Sequence, residues 1–367
     1  MIDTIRLMLD IDRIPENFKL IRRRDNVLCA TMNPTKEMKA SGKYYPRLSY
    51  VERPTKTGLT HQLYVEFSVP KLLLNNNFCE VEEADFGAII KRLQEVLREM
   101  DVAKFLFSSQ IENFKVVKID YSKNIIFDDG TSVSQILRQL NSANIQKYMD
   151  VSSADFRNGG QILHYHTGSR DIVFYDKVAD LKQSKRSEKR CVEKDYYSQQ
   201  DWIKYFDQNK DLSVLRFEIR LNGVKQIKAQ LEKSDQKKEL TFKELFSTEV
   251  SQAILMTWWK EIFSRLPKAP LDSNTIENQF IGVLQCEKAK PQSVLATLGM
   301  IYLMSESGIS DDRFIREMFD RRFKNGSWSR TSKLILEPKK TNNLKNFLKI
   351  EQSLEEMKPV KLDVFRT

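Results

Sequence analysis

Leu215-Arg216-Phe217-Glu218-Ile219-Arg220-Leu221 alternates apolar and charged residues without a break. In an extended strand successive side chains point to opposite faces. Leu215, Phe217, Ile219 and Leu221 therefore make one apolar face, while Arg216, Glu218 and Arg220 share the other. A strand of this kind needs a sheet buried on one side and free to display charge on the second.

Three further stretches repeat the pattern. Leu63-Tyr64-Val65-Glu66-Phe67-Ser68-Val69 buries Leu63, Val65, Phe67 and Val69 and displays Tyr64, Glu66 and Ser68. In Val116-Val117-Lys118-Ile119-Asp120-Tyr121, Lys118 and Asp120 stand opposite Val117, Ile119 and Tyr121. Ser169-Arg170-Asp171-Ile172-Val173-Phe174-Tyr175-Asp176-Lys177 places Ile172 and Phe174 on one face and Val173, Tyr175 and Lys177 on the other.

Further strands are expected at 47–51 and 161–166, and helices at 83–100 and around Val133, Ile136, Leu137 and Leu140, where apolar residues recur at helical spacing. The predicted architecture is α+β: an N-terminal sheet covered on one face by those helices and open on the other, spanning 1–235. Residues 182–209 read as a long loop. Its cations Lys182, Lys185, Arg186, Lys189 and Arg190 make either a solvated charge run or an arm that contacts phosphates. A mainly helical domain is expected over 240–367, with helices at 242–266, 292–305 and 312–323. The last begins at a Ser310 cap and ends before Asn325-Gly326-Ser327, and it resembles a helix-turn-helix in outline.

The 367 residues carry 60 Lys and Arg against 50 Asp and Glu, a net charge of +10 that makes nucleic acid the first partner to test and an acidic membrane surface the second. Cys29, Cys79, Cys191 and Cys286 are widely spaced and form no CxxC pair, which excludes a cysteine zinc site and fits reduced thiols in the cytoplasm. No apolar stretch reaches the roughly 18 residues of a membrane span.

If the four strands are neighbours, Glu66, Asp120 and Glu218 converge as a set of hard oxygen donors suited to Mg²⁺ or Mn²⁺, with Tyr175 beside them. A tyrosine with an ordinary pKa of about 10 needs such company to act as a nucleophile. Arg216 or Lys177 would clamp the phosphate, and the product would be a protein–DNA phosphotyrosine bond.

Lys118-Ile119-Asp120, then Arg170 to Lys177 with its Tyr-Asp-Lys, then Leu215 to Arg220 with its Arg-Phe-Glu resemble, in order and spacing, the motifs of the rolling-circle replication initiators of filamentous phages and related plasmids. The opening Met-Ile-Asp and the Leu63 to Leu72 run are similar to segments of that family too. The resemblance implies a replication initiator that binds double-stranded origin DNA and nicks one strand through Tyr175. It would stay on the 5′ phosphate and later rejoin the displaced single strand, working with a host helicase and polymerase in the host cytoplasm, as a monomer or a homodimer. Lys118, Arg170 and Arg220 would join the 182–190 cations in holding DNA. Plasmid members tend to carry a second Asp four residues after the first, where this chain has Asn124.

His164-Tyr165-His166 satisfies the His-apolar-His pattern of the wider HUH endonucleases, which makes His166 a further candidate metal ligand, although Tyr175 follows it more closely than in those enzymes. Tyr196 and Tyr197 are candidates for a second nucleophile. Two other readings stay open: a DNA-binding regulator without catalysis, and a metal-dependent nuclease in which water attacks and Tyr175 only packs.

Overall fold

In the computed structural model of the chain, the stretch around Glu218 forms β9 (Ser213–Asn222), an inner strand of a nine-stranded sheet. The others are β1 (Ile2–Asp10), β2 (Lys19–Arg24), β3 (Val27–Met32), β4 (Arg47–Thr55), β5 (Gly58–Ser68), β6 (Lys115–Phe127), β7 (Ile162–His166) and β8 (Arg170–Asp176). The order across the sheet is β2-β3-β4-β5-β1-β6-β9-β8-β7, and every neighbouring pair is antiparallel. The structure describes residues 1–11, 18–24, 27–35, 37–38, 41–55, 58–102, 107–141, 143, 149, 162–182, 197–265, 282–284, 290–307, 317, 321–323, 330–335 and 343–361.

The α-helices are α1 (Val69–Leu74), α2 (Phe86–Glu99), α3 (Ser108–Glu112), α4 (Val133–Asn141), α5 (Lys177–Lys182), α6 (Tyr197–Gln208), α7 (Val224–Lys233), α8 (Phe242–Leu245), α9 (Thr248–Phe263), α10 (Pro291–Ser307) and α11 (Asn343–Glu356). The fold class is α+β, as the alternation predicts. The chain divides into two compact units, Met1–Arg265 with Ile350–Thr367, and Leu266–Lys349. Residues 240–265 and the last segment thus belong with the sheet. The second unit contains α10; the 309–316 and 324–329 stretches of the expected helix-turn-helix lie outside the described residues.

The apolar sheet face is the helix-covered one. Phe174 and Phe217 stack at 4.4 Å across β8 and β9, the Tyr121 hydroxyl donates to the Leu245 carbonyl at the end of α8, and that of Tyr165 donates to Leu140 in α4. Phe242 of α8 packs edge-on against Phe67 and Phe86, linking α2 to the same core. Ile89, Ile90, Leu93, Val96 and Leu97 of α2 are buried at the spacing the sequence predicts, each contributing about 1.5–3 kcal/mol.

The opposite face is not wholly free. Phe78, Leu181, Trp202, Ile203, Phe206, Val214 and Val360 form a second core that roofs one end of it. Two helices absent from the sequence reading build this roof. Tyr175 is followed by Asp176, whose carboxylate accepts from the Ala179 N–H at 2.9 Å and so caps α5, turning the expected strand end into a helix. Trp202, Ile203 and Phe206 give α6 an apolar stripe inside the supposed long loop.

Candidate functional site

The unroofed part of this second face is a polar field laid out by strand register. Asp120 lies opposite Arg220 on β9 and Thr4 on β1, Ser122 opposite Glu218, Asn124 opposite Arg216, and Tyr175 on β8 opposite Arg216. Motifs distant in sequence therefore fall on three consecutive strands, β6, β9 and β8. The fourth does not, because β1 lies between β5 and β6.

At the centre, the partly buried Tyr175 hydroxyl donates to Glu218 Oε2 at 3.2 Å. Arg220 Nε donates to Glu218 Oε1 at 2.8 Å, and Arg216 Nε stands 3.6 Å from Oε2. Glu218 is only 2% exposed, and ionised it balances these guanidinium groups. Burial pushes the Tyr175 phenol well above its ordinary value of 10; the positive Arg216 works against this and the negative Glu218 adds to it. The resting phenol is protonated, with its proton directed at a carboxylate.

Asp120 is likewise buried, and burial followed by the Glu218 charge holds its carboxyl well above the usual range, with Lys118 and Arg220 opposing. Its Oδ1 is buried without a hydrogen-bond partner, a vacancy of charge compensation on a hard oxygen donor. Asp120 and Glu218 thus fit the donor set expected for Mg²⁺ or Mn²⁺ in part. Among the described residues, no group of three His, Cys, Asp or Glu side chains is gathered that could hold a metal ion.

Glu66 is separated from the other two carboxylates by a cation. It accepts from Arg6 Nε and from Lys118 Nζ at 3.1 Å, and the same ammonium lies 3.9 Å from Asp120 Oδ2. His166 is also apart: β8 and β9 lie between its strand and β6, about 14 Å at ordinary strand spacing. His164 Nε2 pairs with Asp171 Oδ1 at 3.1 Å, and the two histidine rings lie 5.2 Å apart.

Asp3 enters the site unannounced. The register of β1 on β6 slips between Ile2 and Thr4, and Asp3 is the extra residue. A bulge of this kind re-aims a side chain, here one whose Oδ1 meets Arg216 Nη2 at 2.7 Å. Burial alone would raise the Asp3 carboxyl, but Arg216 and then Lys177 hold it below its ordinary value. The family likeness of the opening Met-Ile-Asp includes this residue but assigns it no role; a regular strand reading puts it on the apolar face, and only the irregular pairing brings it to Arg216.

Several expected roles change. Arg216, 1% exposed, donates to Ser122 Oγ and the Asn77 carbonyl besides pairing with Asp3, so it braces the site from beneath instead of reaching for a phosphate. Lys177 opens α5 instead of continuing the strand on the face of Tyr175, and it is 2% exposed, its ammonium 5.6 Å from the phenol ring and 3.5 Å from Asp180. Burial, then Arg216, lowers it to about 8. Arg170 registers with Leu221, on the helix-covered face, and its guanidinium packs 4.4 Å from the Trp258 ring centroid, away from the polar field.

Lys118 and Arg220 remain at the open side of the cluster. Lys182 pairs with Asp207 at 2.8 Å, while Lys185, Arg186, Lys189, Arg190 and Tyr196 lie outside the described residues and Tyr197 opens α6. Cys29 and Cys79 are free thiols. No helix among the described residues is long and apolar enough to cross a membrane. No protein-family model matches the chain, and no curated protein or solved structure matches it.

Proposed function

We propose that this chain is a tyrosine-dependent DNA nicking and joining enzyme, a replication initiator of the rolling-circle type. The observation that carries the reading is the Tyr175–Glu218 hydrogen bond beside buried Asp120, on a polar face bordered by cations. Glu218 takes the phenol proton, and the phenolate oxygen attacks the phosphorus of one DNA strand. A bond from the Tyr175 oxygen to phosphorus forms as the bond from phosphorus to the 3′ oxygen breaks, and the departing oxygen takes up the proton that Glu218 received, leaving a 5′-phosphotyrosine and a free 3′ hydroxyl. Joining is the reverse attack by a 3′ hydroxyl.

Each neighbour has a share in lowering the barrier. Arg216, held by Asp3, keeps positive charge near the phenolate and keeps Glu218 in place. The Lys177 ammonium beneath the ring favours the charged phenolate. Lys118 and Arg220 face incoming phosphates. Asp120 and Glu218 would hold a Mg²⁺ or Mn²⁺ ion, which supplies charge neutralisation at the phosphoryl group.

The test is incubation with supercoiled DNA carrying the cognate origin, in Mg²⁺, followed by denaturing electrophoresis. A DNA–protein adduct is the expected product. Nicked DNA without adduct would favour water as the nucleophile, and retained DNA with neither product would favour a regulator without catalysis.

A further inference from the structure

Asn76 to Glu80 runs between α1 and α2 with no helix or strand of its own, yet it cradles Arg216 from beneath. The Asn77 carbonyl accepts from Arg216 Nη1 at 3.2 Å. The Phe78 carbonyl accepts from Asn124 Nδ2 at 2.7 Å, which fixes the amide so that its Oδ1 faces Arg216 Nη1 at 3.4 Å. Asn124 is 2% exposed, and an ionised aspartate in its place could not donate to Phe78.

Glu80 anchors this segment. β1 reaches along β6 only as far as Ile2 opposite Tyr121, and Glu80 continues where it stops. Its buried carboxylate accepts from the Asn124 N–H at 2.5 Å and from Lys123 Nζ at 2.6 Å. Burial alone would raise the Glu80 carboxyl, but the Lys123 ammonium holds it below its ordinary value. The same carboxylate accepts from the Val360 N–H at 3.0 Å, and the Glu80 N–H donates to the Val360 carbonyl at 2.9 Å. Lys123 Nζ also donates to the Lys358 carbonyl at 2.7 Å.

The chain reaches Glu80 through a tight turn. α11 ends at Glu356, and the buried Met357 adopts a left-handed conformation (φ 46°) that is unfavourable for a residue with a Cβ. Pro359 separates the Lys358 carbonyl from the Val360 N–H; its φ is fixed and it has no N–H of its own to satisfy. Val360 joins Phe78, Trp202 and Phe206 in the roof core. Lys358 to Val360 is thus a strap tied to the segment that holds Arg216.

We propose that Asn124 and Glu80 are positioning residues for nicking and that Lys358 to Val360 is the strap that holds them. The strap fixes Asn76 to Glu80, this segment and Asn124 fix Arg216, and Arg216 keeps Glu218 at the Tyr175 hydroxyl. The inference rests on the nicking reading for its chemistry, whereas the geometry it claims is measured without DNA.

The experiment uses full-length protein labelled with 3-fluorotyrosine and read by ¹⁹F NMR at neutral pH in EDTA, the Tyr175 resonance being identified by its loss in Tyr175→Phe. Val360→Pro removes the N–H that donates to Glu80, Val360→Ala keeps it, and Asn124→Leu breaks the link to Arg216 directly. The Tyr175 resonance should move in Val360→Pro and Asn124→Leu and stay in place in Val360→Ala. Single-turnover nicking by the first two should fall about tenfold with DNA Kd unchanged, a smaller loss than the roughly 10²-fold that a 1 Å misplacement costs. If Val360→Pro does not fold, Asn124→Leu carries the test. An unmoved Tyr175 resonance in Asn124→Leu, an equal displacement in Val360→Ala and Val360→Pro, or a loss of rate matched by an equal loss of DNA affinity would overturn the proposal. Absence of nicking by the unsubstituted chain would instead refute the nicking reading, and the resonance alone would then decide whether the strap positions Tyr175.

Discussion

The Tyr175 hydroxyl donates to Glu218 Oε2 at 3.2 Å, joining two residues 43 positions apart through the antiparallel pairing of β8 with β9. Tyr175→Phe removes the hydroxyl and little else. Nicking should fall below detection while DNA binding persists. The lost hydrogen bond costs about 1–2 kcal/mol, which a thermal melt would register as a small shift.

Glu218→Gln keeps the shape but removes the proton acceptor and the charge opposite Arg216 and Arg220. Single-turnover nicking should slow by about 10²–10⁴-fold. Stability should fall by up to about 3–5 kcal/mol, because the buried Arg216 loses a counter-charge. Unaltered nicking with lowered stability would make Glu218 purely structural.

Asp120 has a folded pKa raised above its ordinary 3.8, so the folded state holds this proton more tightly than the unfolded chain. Its contribution is fully present below pH 3.8 and is lost as pH rises through the raised value. Asp120→Asn should therefore raise the melting temperature at pH 7 and leave it nearly unchanged near pH 3.5. Mn²⁺ should raise the melting temperature of the unsubstituted chain more than that of the variant.

Lys177 shows the opposite linkage. Between its folded value of about 8 and its ordinary 10.5 the unfolded chain binds more protons, so this group makes stability rise with pH over that window. Lys177→Met should flatten the rise in a series of denaturant titrations. Nicking by the unsubstituted chain should decline above about pH 8 as the ammonium beside the phenolate is lost.

Arg170 offers a negative control drawn from the packing. Arg170→Ala removes the guanidinium from the Trp258 ring, at a cost of about 0.5–2 kcal/mol, and should leave DNA affinity unchanged. A loss of affinity with intact stability would return Arg170 to the DNA surface.

The period-two patterns around Phe67, Ile119, Phe174 and Phe217 were sufficient to read those four strands, their buried faces and the shared face of Tyr175, Asp120 and Glu218, whereas β1, β2 and β3 were not read and Val69 and Lys177 begin helices. Long-range order was not legible: nothing local to Leu63–Val69 tells that β1 separates it from Lys118–Asp120, with Lys118 then between Glu66 and Asp120. The fate of Lys177 was partly legible, since Asp176 is a good N-cap residue, but a run of β-formers before it argued for a longer strand. Asp3 was hidden because a bulge breaks the alternation on which the reading depends. Arg170 misled through its charge, which says nothing about which face a strand residue occupies.

The central claim is that Tyr175 becomes covalently joined to DNA. Its most direct test is tryptic mass spectrometry of the adduct formed on an origin oligonucleotide in Mg²⁺. The account predicts that the peptide containing Asp171 to Lys177 carries the nucleotide mass, with fragmentation placing it on Tyr175. A nucleotide attached to Tyr197 or any other residue, or nicked product with no modified peptide, would contradict it.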